Sequence, residues 1–138
     1  VSNQLQGESD TYHLVQWRVD IASGEPASAQ VVLAYRDSRI VGDAEGNGPV
    51  DALLKAIDIA TGIQNELEYY HVEAVTPGED AQGRVHIRIR IGDQIFTGHG
   101  LATDIVEASA RAYLAALSRY DQGSPSTVLA GTGVSRFG

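Results

Sequence analysis

Four histidines, a scatter of serines and two glycine-bearing segments are the residues of this chain whose types suit chemistry. His13, His71, His86 and His99 form no H-x-x-x-H or H-E-x-x-H pair, the helical spacing that sets two imidazoles on one metal. No serine stands in a G-x-S-x-G elbow. With no cysteine, thiolate metal sites, disulfides and Cys nucleophiles are excluded. The segments Gly46-Asn47-Gly48-Pro49 and Gly98-His99-Gly100 each stand between a short strand pattern and a helix pattern. A turn there gathers backbone N–H groups and the positive end of a helix dipole, which suits an anion such as a carboxylate. A G-x-G also simply makes a tight turn, and neither segment has a P-loop lysine or the dinucleotide fingerprint. Asp51 and Asp104 stand near the two segments, where an acid can face an ammonium group or cap the helix. A carboxylate site beside apolar helix and strand residues suits an apolar amino acid.

The elements that must position these residues are legible from periodicity. From Thr11 to Ile21 the apolar residues Val15, Trp17, Val19 and Ile21 alternate, predicting a half-buried strand with those four inward. Gln30–Tyr35 reads as a second strand and Ile40-Val41 as a short third. Pro49 suits the first position of a helix whose stripe is Val50, Leu53, Leu54 and Ile57, and Gly62 ends it. The order then repeats. Leu67–Val75 is a strand, a loop runs to Gly83, and Val85, Ile87, Ile89 and Ile91 alternate with His86, Arg88 and Arg90. Gly92-Asp93-Gln94 is a hairpin turn, Ile95–Gly98 a third strand, and Thr103–Tyr120 a helix. Asp104 and Glu107 resemble a capping box, and Val106, Ser109, Ala110, Tyr113 and Leu117 form the inward face.

Sequence matches support a duplication. Tyr12-His13 recurs as Tyr70-His71, Ile40-Val41 as Ile95-Phe96, and Val50-Asp51-Ala52 as Val106-Glu107-Ala108. The fold class expected is α+β: two βββα units with pseudo-two-fold symmetry, each a three-stranded antiparallel sheet with one helix. One helix cannot cover a sheet face, so the units should pack together. Repeat 1 covers about 11–62 and repeat 2 about 66–120, between a polar lead (1–10) and a tail (121–138) expected to be loose. The 138 residues carry 43% hydrophobic and 20% charged side chains, a globular composition. Ten basic residues against eighteen acids give a net charge of −8, which disfavours nucleic acid, and no apolar run is long enough to span a bilayer. The absence of methionine suggests a piece of a longer chain.

Two stretches carry a resemblance. Gly46-Asn-Gly-Pro-Val-Asp-Ala-Leu-Leu-Lys-Ala-Ile57 and Thr97-Gly-His-Gly-Leu-Ala-Thr-Asp-Ile-Val-Glu-Ala-Ser-Ala-Arg-Ala-Tyr113 closely resemble the C-terminal regulatory domain of bacterial 2-isopropylmalate synthases. Tyr69-Tyr70 and the loop Gly78–Gln82 also fit, and the resemblance covers about 11–120. It implies a cytoplasmic enzyme whose separate TIM-barrel domain condenses acetyl-CoA with 2-oxoisovalerate on a divalent metal. No catalytic residue, metal ligand or cofactor is expected in this chain itself. The partners implied are L-leucine as feedback inhibitor, a second copy in a homodimer, and the barrel of the same polypeptide. Matching positions imply an effector site of Gly46, Asn47, Gly48, Pro49, Val50 and Asp51 at the first helix start. Leu67, Tyr70 and Ala74 match wall positions, and Leu101, Ala102, Thr103, Asp104 and Ile105 match the second helix start. Backbone N–H groups would hold leucine's carboxylate, and Leu67, Tyr70 and Ile105 would bound its isobutyl group. Three alternatives stay open: an isoleucine-binding domain of a citramalate synthase, a dimerisation module without a working site, and a small enzyme using His99 with a nearby acid.

Overall fold

A computed structural model describes residues 10–74, 82–125 and 127–128. Most of the polar lead, the loop positions from 75 to 81 and the end of the tail lie outside them. The elements run β1 (Tyr12–Asp20), β2 (Ala27–Tyr35), β3 (Ser38–Gly46), α1 (Pro49–Thr61), β4 (Glu66–Ala74), β5 (Gly83–Ile91), β6 (Gln94–Ala102), α2 (Ile105–Asp121) and β7 (Thr127–Val128). The duplicated βββα unit is therefore present. One antiparallel sheet is ordered β1-β2-β3, the other β4-β5-β6-β7. The fourth strand comes from the segment expected to be loose: Thr127 pairs with Ile95 and Val128 with Gln94.

The two units share one core. Val31 and Leu33 of β2, Leu53 and Ile57 of α1, Val85, Ile87 and Ile89 of β5, Phe96 of β6 and Leu117 of α2 are all fully or almost fully buried within it. Polar pins tie the units across this core. Ser118 Oγ accepts the Thr11 and Tyr12 N–H groups at 2.9 and 3.0 Å, fixing β1 against the C-terminal turn of α2. Where the helices meet, the Tyr113 hydroxyl donates to Asp58 at 2.5 Å and to Asn65 at 3.0 Å.

Burial raises the Asp58 pKa above the usual carboxylate value, against the hydrogen bonds from Tyr113 and Asn65 that lower it. A folded-state pKa above the unfolded one means the native state binds this proton more tightly. Asp58 therefore favours the fold below its unfolded pKa, and that contribution is lost as pH rises through its folded pKa. Urea titrations of Asp58→Asn against the parent chain should show the variant gaining relative stability between acid and neutral pH. An unchanged difference over that window would show that Asp58 does not titrate with folding.

The repeat's internal register differs from the sequence matches. Both first strands carry a β-bulge, between Leu14 and Gln16 in β1 and between Leu67 and Tyr69 in β4. Leu14 opposite Leu33 corresponds to Leu67 opposite Ile89, so Trp17 corresponds to Tyr70 and His13 to Glu66. The Tyr-His repetition is thus a coincidence of sequence: His13 begins its strand, and His71 lies beyond the bulge of the other. Similarly Ile40 opposite Leu33 corresponds to Phe96, not Ile95, opposite Ile89. The bulge also flips the phase of β1. Tyr12, Leu14, Trp17 and Val19 pack on the core, whereas Val15 is 45% exposed and Ile21, just past the strand, 68%.

Both third strands are longer than the sequence suggests, and this moves one candidate loop. Gly98-His99-Gly100 is not a turn but the middle of β6, opposite Ile87, His86 and Val85. Its glycines are required by the helix above them. A Cβ on Gly98 would stand 2.1 Å from the Ala112 carbonyl oxygen and 2.6 Å from the Ala116 nitrogen, and one on Gly100 would stand 2.1 Å from the Ala108 oxygen. Gly42 repeats the device under α1, with the Ala56 oxygen at 2.0 Å. Strand glycines and helix alanines thus let backbone lie on backbone.

Candidate functional site

With the strands in register, the turns that correspond are Asn47-Gly48 and Thr103-Asp104, each between a nine-residue strand and its helix. They are chemically unlike. Asp104 caps α2: its Oδ1 accepts the Val106 N–H at 2.7 Å and the Glu107 N–H at 3.4 Å. Glu107 turns its carboxylate to Arg111 instead of back to Asp104, so only half of the expected capping box forms. At the first turn Gly48 stands where Asp104 stands, and no side chain caps α1. The first intrahelical bond runs from the Ala52 N–H to the Gly48 carbonyl at 2.9 Å. The Val50 and Asp51 N–H groups precede it, within the positive end of the helix, and Pro49 has none.

Asp51 is occupied locally. Its Oδ2 accepts the Asn47 N–H at 2.9 Å and pairs with Lys55 at 3.2 Å, and the Asn47 bond is the main reason its pKa is lowered. A Cβ on Gly46 would stand 2.4 Å from that same oxygen, so this glycine is needed where the turn folds back. Gly48 is different: its extended φ of −176° suits any residue, and nothing lies within 4 Å of the position a Cβ would take.

The predicted wall residues divide. Leu67 and Tyr70, three apart, would face opposite ways on a regular strand; the bulge between them turns both to the helix side, with Val72 and Ala74. Tyr70 reaches α2, where its hydroxyl lies 2.7 Å from Ser109 Oγ. Ala74 stands opposite Gly83, which stands opposite Ala102, and Ile105 Cδ1 rests on Gly83, 2.4 Å from where a Cβ would be. Tyr70, Ala74, Ala102 and Ile105 therefore form one apolar patch beside the start of α2. Leu67 extends it as an open strip, 47% exposed, on a strand whose residues are all exposed.

Leu101 points to the other face and is 44% exposed. With Ala102 and Thr103 it borders an open cleft of about 850 Å³ between β6, α2 and the start of β1. Tyr12, Leu14 and Leu114 give that cleft apolar surface, and Arg84, Arg111 and Glu107 give it charge. Sequence reasoning did not find this cleft, because it is made by β1 of one unit lying against the helix of the other. Gly46–Asp51 belong to the first unit, and among the described residues no hydrogen bond or ion pair joins them to the patch of the second. His99 lines the cleft as well, with Asp10 and Glu107, and its Nδ1 lies 2.7 Å from His86, whose Nε2 is bonded to Glu73.

Comparison with known proteins agrees with this architecture. Residues 1–121 match the family model described as the LeuA allosteric (dimerisation) domain. The chain is 46% identical over 112 residues to a 2-isopropylmalate synthase of Dechloromonas aromatica, covering 81% of this chain and 22% of that protein. It is 42% identical over 112 residues to the 2-isopropylmalate synthase of Chromobacterium violaceum, covering 81% and 22%. For that of Nitrosomonas europaea the identity is 40% over 119 residues, covering 86% and 23%. The chain thus spans about a fifth of the length of these relatives. No described helix is long and apolar enough to cross a membrane. On both the family match and the duplicated βββα architecture, the chain belongs to the LeuA allosteric (dimerisation) domain family.

Proposed function

We propose that the chain is the leucine-sensing regulatory and dimerisation domain of a 2-isopropylmalate synthase, itself without catalytic residues. The catalysis, by a barrel domain of the same polypeptide on a divalent metal, belongs to the parent enzyme. The carrying observation is the asymmetry of the two turns: Asp104 fills the positive end of α2, while Gly48 leaves that of α1 open. A ligand carboxylate can accept the Val50 and Asp51 N–H groups there. The patch of Tyr70, Ala74, Ala102 and Ile105, extended by Leu67, supplies apolar surface for a branched side chain on the second unit. The open strip of β4 is also where a second copy would pack, which would bring surfaces of two chains to the same ligand.

Burying a leucine side chain contributes roughly 1.5–3 kcal/mol. Charge-assisted hydrogen bonds add about 1.5–3 kcal/mol each, and the ordering entropy of binding offsets part of the sum. These terms allow an affinity between millimolar and micromolar. Thermal unfolding with millimolar leucine, isoleucine, valine and alanine tests this. Ligand at about a hundredfold over its dissociation constant stabilises the fold by about 2.7 kcal/mol, a rise of several degrees. Leucine should give the largest rise. A larger rise with isoleucine would instead favour a citramalate-synthase domain, and no rise with any of the four would leave a dimerisation module without a working site or a pocket that needs the barrel.

A further inference from the structure

The face of the second sheet turned away from α2 carries three histidines in one row. His71 of β4 pairs with His86 of β5, and His86 pairs with His99 of β6, so the three side chains project from adjacent strands on one side. Directly opposed residues of antiparallel strands hold their Cβ atoms about 4.5–5.5 Å apart, the reach over which two imidazoles can share one ion. With Tyr69, Arg88 and Thr97 the rings line a shallow depression of about 250 Å³.

The hydrogen bonds fix the tautomers. Glu73 Oε1 lies 2.6 Å from His86 Nε2, and this bond holds the Glu73 carboxyl below its usual pKa. An ionised carboxylate only accepts, so His86 presents its Nε2–H to Glu73, and in the neutral ring this leaves the Nδ1 lone pair bare. His86 Nδ1 stands 2.7 Å from His99 Nδ1, which donates to it when the His86 ring is neutral. An imidazole held by a carboxylate through one nitrogen, with the other presented outward, is the arrangement that orients and strengthens a histidine metal ligand. The Arg88 guanidinium is held over the Tyr69 ring at 5.1 Å.

We propose that His86 and His99, with His71 as third ligand, bind a divalent transition metal of the zinc or nickel type through His86 Nδ1 and His99 Nδ1. Two imidazole nitrogens on one tetrahedral zinc, at about 2.0–2.1 Å each, stand about 3.3 Å apart, so the observed pair opens by about 0.6 Å. The His99 proton moves from Nδ1 to Nε2, and no proton need leave the neutral pair. Among the described residues no three His, Asp or Glu side chains converge as ligands. His71, whose ring centre lies 6.0 Å from that of His86, joins by turning about its side-chain bonds. The site lies on the opposite face of the sheet from the Tyr70–Ile105 patch and does not depend on the leucine reading.

Zinc and nickel titrations of the 138-residue chain, in competition with a chromogenic chelator, test the site. One metal ion per chain is expected, at micromolar affinity, weakening as pH falls because protons compete for the imidazoles. His86→Gln and His99→Gln should each weaken binding at least a hundredfold, and His71→Gln about tenfold. Glu73→Gln, which removes only the supporting carboxylate, should cost about 10- to 100-fold. His13→Gln should bind as the parent does. These substitutions lie on an exposed face, and unchanged melting without metal would confirm folding. Binding that survives His86→Gln and His99→Gln, or a parent chain no tighter than those variants, would overturn the proposal.

Discussion

Gly98→Ala should destabilise the chain by about 3 kcal/mol or more, lowering its melting temperature by roughly ten degrees or leaving it insoluble. The added methyl would stand 2.1 Å from the Ala112 oxygen and 2.6 Å from the Ala116 nitrogen, both backbone atoms of α2. No rotamer change relieves a backbone clash, so the helix must lift from the strand. The buried contacts of Ala112, Ala116 and Leu117 would loosen with it. Gly42→Ala should act alike in the first unit, against the Ala56 oxygen at 2.0 Å. Gly100→Ala is informative beside them, because the corresponding residue of the first unit is Ala44, whose Cβ that unit accommodates. A milder loss at Gly100 than at Gly98 would show that α2 can shift as α1 has. If Gly98→Ala melted as the parent does, the close helix–strand packing would be wrong.

The same glycines show where the sequence was and was not readable. Alternation in Val85–Ile91 and the helical stripes of α1 and α2 located those elements, because their burial follows a single regular period. The period failed wherever a residue was added without a local mark. Val15 and Glu68 are the extra residues of the two bulges, and nothing in Leu14-Val15-Gln16 or Leu67-Glu68-Tyr69 announces them. The bulge of β1 sent Val15 outward, and that of β4 brought Leu67 and Tyr70 to the same side. Gly98-His99-Gly100 resembled a turn because glycine usually breaks strands. The signal against that reading was present: Ala108, Ala112 and Ala116 repeat every four residues, as Ala52, Ala56 and Ala60 do, and a stripe so small needs a strand without side chains beneath it. The histidine row was half legible. The alternation placed His86 on the outer face, but only strand register sets His71 and His99 beside it.

Gly48→Asp should raise the melting temperature without ligand and abolish the rise produced by leucine. Gly48 and Asp104 hold corresponding positions, and Asp104 shows what an acid does there: it takes the first free N–H groups of the helix. The gain has three sources: a side-chain cap, a negative charge at the positive end of α1, and an unfolded chain with less freedom than one containing glycine. Together they come to about 1 kcal/mol, or about 3–5 °C for a chain of this size. The backbone already permits it, at φ −176° and with nothing within 4 Å of the new Cβ. The second unit also tolerates the neighbouring charge, since Glu107 there stands where Asp51 stands here. A glycine kept where an acid would stabilise is the mark of a position held for function at some cost in stability. Gly48→Ala separates the two effects, because it fills the same space but leaves the Val50 and Asp51 N–H groups open. Gly48→Ala should keep the leucine response and Gly48→Asp should lose it. If both keep it, the carboxylate is bound elsewhere and the cleft between β1 and α2, with Arg84 and Arg111, becomes the site to test. If both lose it, the turn is needed for its shape and not for its open hydrogen-bond donors.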